Sequence, residues 1–213
     1  MTVKKIWRGT LYVAGLLILA LGLTLNNKCA LGTSALSTTP YFASLVWGAN
    51  FGDAMFLVYA LCVALQLVLN PKGHKIQALA QLPVSLVFSR VLNWMDVIIM
   101  EPAALWGKVL MLVGAILLTG IGAAMCLNAR LIPSPGDGIV DSLARFFGKE
   151  IGLMKNLFDF FCMAVTFVLG IATGHFMCAL GIGTLVGVVG VGRVMSLYNA
   201  LFQKPQNRLM GVE

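Results

Sequence analysis

Long apolar blocks separated by short polar stretches set the pattern of this chain. The blocks are Leu11–Leu25, Ala54–Leu69, Ile76–Val91, Leu110–Leu127, Leu157–Ile171 and Phe176–Val191. Crossing about 30 Å of hydrocarbon takes roughly 17–25 apolar residues in a helix. Leu110–Leu127 meets this as it stands, and the other blocks meet it once flanking residues and polar ends that reach the interface are counted. None alternates with a period of two, which excludes a membrane β-barrel. The pattern therefore predicts an all-α, polytopic membrane protein.

Two polar stretches fall between blocks: "TSALSTTPYFASLVWGANFG" from Thr33 and "SPGDGIVDSLARFFGKEIG" from Ser134. Each predicts a short helix, Ser34–Trp47 and Gly138–Phe147. At 1.5 Å per residue such helices reach roughly 15–21 Å, too little to span. In the second, Pro133 and Pro135 end the preceding helix, Asp137 is placed to cap a new one, and Gly148 closes it. Ile139, Val140, Leu143, Phe146 and Phe147 form its apolar surface, with Asp141 and Arg145 paired at i and i+4 on the other side. A helix of this kind lies flat at the interface or re-enters the membrane.

The two stretches belong to a wider echo. Shifted by 100 positions, Gly22 meets Gly122, Leu31 meets Leu131, Ser34 meets Ser134, Gly48 meets Gly148, Gly52 meets Gly152 and Cys62 meets Cys162. Past Leu69 the register slips by a few residues and brings Arg90 opposite Arg193. The expectation is one membrane domain over 1–213, made of repeat 1 (10–100), repeat 2 (104–201) and a cytoplasmic tail (202–213). Each repeat holds three spans and one short helix. An odd number of spans inverts the second repeat relative to the first, giving six transmembrane helices in two inverted halves. Pro83 and the Gly181–Thr184 turn then fall at equivalent places, which suggests paired helix breaks.

Charge gives the same topology. With the N-terminus inside, the inner segments collect Lys4, Lys5, Arg8, Lys72, Lys75, Arg130, Arg145, Lys149, Lys155, Lys204 and Arg208, while the outer ones keep Lys28 and Lys108. This is the positive-inside pattern, with both termini cytoplasmic in a bacterial inner membrane. Only 11% of the residues are charged and 59% are hydrophobic, whereas soluble domains carry about 25% charged residues. The net charge of +7 reflects topology and anionic headgroups and calls for no nucleic acid. "MTVKKIWR" precedes an apolar run longer than a signal-peptide core, so it reads as the entry to span one. Cys29, Cys62, Cys126, Cys162 and Cys178 show no metal spacing and fit free, apolar thiols.

Candidate chemistry is sparse. Arg90 and Arg193 sit near the ends of spans three and six, either reaching the interface or guarding two entrances for an anion. Asp159 could carry a proton or pair with Lys155. The Gly183-x₃-Gly187 spacing suits close helix contact, and His74 and His175 form no motif. No P-loop, dinucleotide fingerprint, H-E-x-x-H or C-x-x-C is present, so neither an enzyme, a metal nor a cofactor is expected. A substrate site between the repeats would draw on Ser34, Gln81, Arg90, Ser134, Asp137, Thr184 and Arg193, with Asp159 for proton coupling. The expected function is alternating-access transport of a small solute, anionic or zwitterionic by preference. The alternative is an accessory or regulatory membrane subunit. A chain this small also suits a homodimer or another membrane partner.

"LIPSPGDGIVDSLARFFGKEIG", followed some thirty residues later by "LGIGTLVGVVGVGRV", resembles the YczE/YitT-like family of small bacterial membrane proteins. Ser134, Pro135 and Asp137 match its serine–proline–x–aspartate turn, and Gly181, Gly183 and Thr184 match its G-x-G-T motif. Leu31, Gly32, Thr33 and Ser34 match more loosely, with Ala35 where proline is expected. Ile132 replaces a glycine of the pattern. The resemblance spans about residues 12 to 200 and implies a six-span or similar fold with a suspected transport role. It implies no settled substrate.

Overall fold

A computed structural model describes residues 2–69, 75–175 and 179–210. Lys72, His74 and Cys178, singled out above, lie outside these. Most of the described residues are helical, with no strand among them. In chain order they form α1 (Thr2–Lys28), a 3-10 turn (Ala35–Ser37), α2 (Thr38–Trp47), α3 (Phe51–Leu69) and α4 (Lys75–Ile98), then α5 (Leu105–Ala129), α6 (Pro135–Phe147), α7 (Ile151–Thr173) and α8 (Ile182–Met210).

Five helical segments are long and apolar enough to cross a membrane: Lys4–Lys28, Phe51–Leu69, Leu105–Ala129, Ile151–Thr173 and Ile182–Leu209. The sequence pattern predicts six. The difference is α4, whose 24 residues would reach about 36 Å but include Gln77, Gln81, Ser85, Ser89, Arg90, Asn93 and Asp96. It has the length of a span without the composition. Nor is it broken at Pro83, as expected above; the helix runs through that residue. A proline removes one intrahelical hydrogen bond, and α4 continues without it. At the other end of the chain, the expected tail continues α8 as helix through Pro205 to Met210.

The chain divides into two compact units, each drawing on both halves of the sequence. Unit one comprises Met1–Gly32, Trp94–Leu131 and Ile182–Glu213. Its centre is the pairing of α1 with α5, which run antiparallel: Arg8 Nε donates to the Ala129 carbonyl (3.0 Å), whereas Gly22 faces Thr119. The backbones come so close that a Cβ on Gly22 would lie 2.5 Å from the Thr119 nitrogen, and one on Gly122 2.5 Å from the Leu19 nitrogen. Helix α8 packs on α5 through Gly120 against Val194 and Gly190 against Ile116, and the Gly183 nitrogen donates to the Leu31 carbonyl (2.7 Å). Gly187 faces open space, so the expected Gly183/Gly187 contact reduces to Gly183.

Unit two comprises Thr33–Asn93 and Ile132–Gly181. Here each short helix folds back on the long helix that follows it. Gly48 ends α2 with φ 65° and Gly148 ends α6 with φ 61°, left-handed values that glycine adopts without strain. Buried Val140 and Ala144 of α6 pack against Met154 of α7. Phe146 and Phe147, at the far end of that apolar surface, are exposed. The 3-10 turn ahead of α2 meets the start of α6, with the Leu36 side chain 2.6 Å from where a Cβ on Gly136 would stand.

Backbone detail recurs at the 100-residue offset. Ala30 and Arg130, just past α1 and α5, have φ of 52° and 50°. Ser34 and Ser134, ahead of the short helices, have φ,ψ of −64°,148° and −62°,149°. Among the described residues, Cys29, Cys62, Cys126 and Cys162 are all free thiols. Cys29 lies just past α1, and burial pushes its thiol pKa up.

Candidate functional site

The polar residues of α4 are spaced to share one face. Gln81, Ser85, Ser89 and Asn93 recur every four positions, so they stack along a helix. Gln81, Ser85 and Ser89 are buried. A buried polar group needs a partner, and each finds one within unit two. Ser85 Oγ donates to the Gln81 carbonyl (2.7 Å) and Ser89 Oγ to the Gly52 carbonyl (2.8 Å). Asn93 Oδ1 accepts from the Gly52 nitrogen (2.7 Å), while its Nδ2 donates to Asp53 (3.1 Å). Asp53 also pairs with Arg90 at 3.0 Å.

At the other end of this seam, Gln66 of α3 and Gln81 of α4 form a reciprocal amide pair. Gln66 Nε2 donates to Gln81 Oε1 (2.9 Å), and Gln81 Nε2 donates to Gln66 Oε1 (3.2 Å). Gln66 Nε2 also reaches the Pro135 carbonyl at 3.2 Å, tying the pair to the first turn of α6. The pair lies directly over Gly138. A Cβ there would stand 2.5 Å from Gln66 Oε1 and 2.7 Å from Gln81 Nε2, so any larger residue would push the amides off the helix.

Beside the pair opens a cavity of about 100 Å³. Gln66, Gln81, Gly138 and Ser142 line it, together with the charged side chains of Lys75, Asp141 and Arg145. Asp141 and Arg145 are ion-paired at 2.7 Å, as their spacing predicts. The α6 start differs from expectation. The helix begins at Pro135 rather than Gly138, and its cap is Ser134, whose Oγ accepts from the Asp137 nitrogen (3.2 Å) and donates to Asp137 Oδ2 (2.8 Å). Proline at the first helical position costs no hydrogen bond, because that N–H has no intrahelical acceptor. Asp137 therefore sits inside the first turn, exposed, and not at the cap.

A second polar contact holds the α2 start against α7. Thr166 Oγ1 donates to Thr38 Oγ1 (2.8 Å) and lies 3.0 Å from Thr39 Oγ1. Thr38 Oγ1 in turn reaches the Ala35 carbonyl (2.7 Å). Positions 38 and 166 correspond, at the 100-residue offset, to 138 and 66, the positions of the glutamine contact. Ser34 Oγ is satisfied locally by Ser37 Oγ at 2.7 Å.

The sequence-predicted site residues are thus dispersed. Gln81, Ser134 and Asp137 come together around the α6 start. Arg90 lies nine residues further along α4, about 13 Å away, in its pair with Asp53. Asp159, within α7, pairs with Lys155 at 3.3 Å. Thr184 and Arg193 belong to unit one, the first fully buried near the start of α8 and the second exposed. Sequence reasoning missed Gln66 and Thr166. A single glutamine inside an apolar block as long as Ala54–Leu69 was a usable signal, since an unpartnered amide in a membrane is costly.

No solved structure matches the chain significantly. An uncharacterized protein of Haemophilus influenzae is 22% identical over 197 residues, which cover 91% of this chain and 86% of that protein. A family model, described as a family of unknown function (DUF6198), matches residues 6–200. With nearly the whole sequence inside that match, the chain belongs to the DUF6198 family.

Proposed function

We propose that this membrane protein carries a small solute across the membrane by alternating access, through six spans arranged as two inverted repeats. One observation carries the reading: contacts within each unit map onto one another at the 100-residue offset. Gly22 against Thr119 becomes Gly122 against Leu19. Thr38 against Thr166 becomes Gly138 against Gln66. Leu36 against Gly136 maps onto itself, which is where a two-fold axis would pass. The antiparallel course of α1 and α5 supports inversion, because an axis in the membrane plane relates such helices. Helix α4 supplies the sixth span, its polar stripe turned inward and its length sufficient.

In this arrangement α2 and α6 enter from opposite faces and meet tip to tip, as re-entrant helices do around a central site. The positive-inside distribution puts both termini in the cytoplasm. The cavity beside Gln66 and Gln81 is the candidate solute site. The resemblance to YczE/YitT-like proteins favours the same role.

Two measurements test the reading. Single cysteines at positions 28, 72, 108 and 149 in a cysteine-free background should label from outside at 28 and 108 and from inside at 72 and 149. Proteoliposomes should show saturable uptake of at least one solute from a panel of organic anions, amino acids and vitamins. Four positions labelling from one side would sink the inverted topology. Correct labelling without uptake of any solute would favour the accessory-subunit alternative.

A further inference from the structure

Among the described side chains around the unit-two cavity, the charges do not cancel. Lys75 and Arg145 are cationic and Asp141 is anionic. Asp141 is already committed to Arg145 at 2.7 Å, and Lys75 is ion-paired to no described residue. A guanidinium has five N–H donors, so the Arg145 pair leaves donor directions unused. The buried amide pair adds a further donor. Gln66 Nε2 makes both of its hydrogen bonds, to Gln81 and Pro135. Gln81 Nε2 makes one, to Gln66 Oε1, and its second N–H meets no acceptor among the described residues. Gln81 is 2% exposed, and a buried donor without an acceptor is destabilising.

We infer that this cavity binds a small anion, a carboxylate or phosphate, between Lys75 and Arg145, with the free N–H of Gln81 donating to it. The bound anion offsets the excess positive charge and satisfies the buried donor together. Asp141 holds Arg145 in place and excludes a second negative group from that wall, which limits the ligand to one anionic group at this end. The volume of about 100 Å³ suits a small head and not a lipid chain. The inference rests on the transport reading only in assigning its site to this cavity.

The test is calorimetric titration of the full-length protein in phosphatidylcholine nanodiscs with succinate and with inorganic phosphate, using glycerol as the neutral comparison. The expected result is saturable binding of at least one anion and none of glycerol. Lys75→Gln and Arg145→Gln should each weaken it about fivefold, the scale of one partly screened charge contact. Lys75→Arg should retain it. A folded protein that binds neither anion, or whose binding ignores both glutamine substitutions, overturns the inference. Repeating the titration with phosphatidylglycerol in the disc separates the sources. A weaker apparent affinity there means that a lipid headgroup competes for the site, and an unchanged one means that the free solute is the ligand. Binding without flux would refute transport and leave the site standing. Flux of a solute in a protein that binds neither anion would refute the site and leave transport standing.

Discussion

The α1–α5 contact in unit one and the α3–α4–α6 contact in unit two hold helices together by opposite means. Lipid chains are as apolar as leucine, so helices in a membrane gain little from hiding apolar surface; they associate through close packing and hydrogen bonds. Unit one relies mainly on packing, with Arg8 closing one end through its bonds to the Ala129 and Arg130 carbonyls. Gly15, Gly22 and Gly122 let the two backbones meet, and even Thr119 serves this, its buried hydroxyl having no partner among the described residues. Unit two relies on hydrogen bonds: an amide pair, a serine and an asparagine on the Gly52 backbone, and a cluster of threonine hydroxyls. A glycine seam has one arrangement, because backbone cannot yield. Side-chain hydrogen bonds can change partners, and the cavity opens on that side of the comparison.

The α1–α5 seam is least tolerant of a larger residue at Gly122. Its added Cβ would meet Leu19 backbone at 2.5 Å, where nothing can rotate away. Gly122→Leu should destabilise the protein by at least about 3 kcal/mol, the upper range for overpacking, read as a large fall in thermal midpoint in detergent. Gly114→Leu is the control, since nothing lies within 4 Å of that position and the midpoint should hold. If Gly122→Leu is tolerated equally well, the α1–α5 seam is not rigid.

A smaller and reversible effect belongs to the amide pair. Gln81→Leu leaves the Gln66 amide buried without its partner, a loss of about 1–3 kcal/mol. The double change Gln66→Leu with Gln81→Leu removes both polar groups and should recover most of that stability. A double variant no more stable than the single one would mean that the pair does not act as a unit.

How much of this was legible depends on which kind of contact a residue makes. Glycines that cap or pack announce themselves, because few other residues tolerate those positions: 22, 48, 122 and 148 recur at one offset, and the structure gives them contact or turn roles. The i,i+4 pairs Asp141–Arg145 and Lys155–Asp159 were equally local and equally readable. The glutamine contact was not. Its partners lie 15 residues apart on separate helices, and periodicity within either helix cannot report the other. Pro83 misled in another way: local chemistry marks it as a breaker, but a helix can continue past one lost hydrogen bond, and α4 runs through it. Asp137 was misplaced by one capping step, because Ser134 and Asp137 are both good caps and only geometry chooses between them.

The smallest effect sharpens the comparison most, because it lies within unit two. Positions 38 and 166 repeat, at an offset of 100, the relation of 138 and 66. One contact is made by hydroxyls at 2.8 Å and the other by an amide pair on a bare glycine. Thr166→Val keeps the side-chain shape and removes the hydroxyl that serves both Thr38 and Thr39. Thr38 keeps its bond to the Ala35 carbonyl, and the Thr39 hydroxyl, which loses its acceptor, is only partly buried, so the expected loss is only about 1 kcal/mol. Thermal denaturation measures that loss. Uptake in proteoliposomes measures whether the contact also gates. If alternating access opens the two contacts in turn, loosening the threonine side shifts the apparent affinity for the solute while leaving the glutamine cavity intact. A fall in stability with unchanged affinity would make the threonine cluster a fastening alone, and the resemblance between the two contacts would be one of fold and not of mechanism.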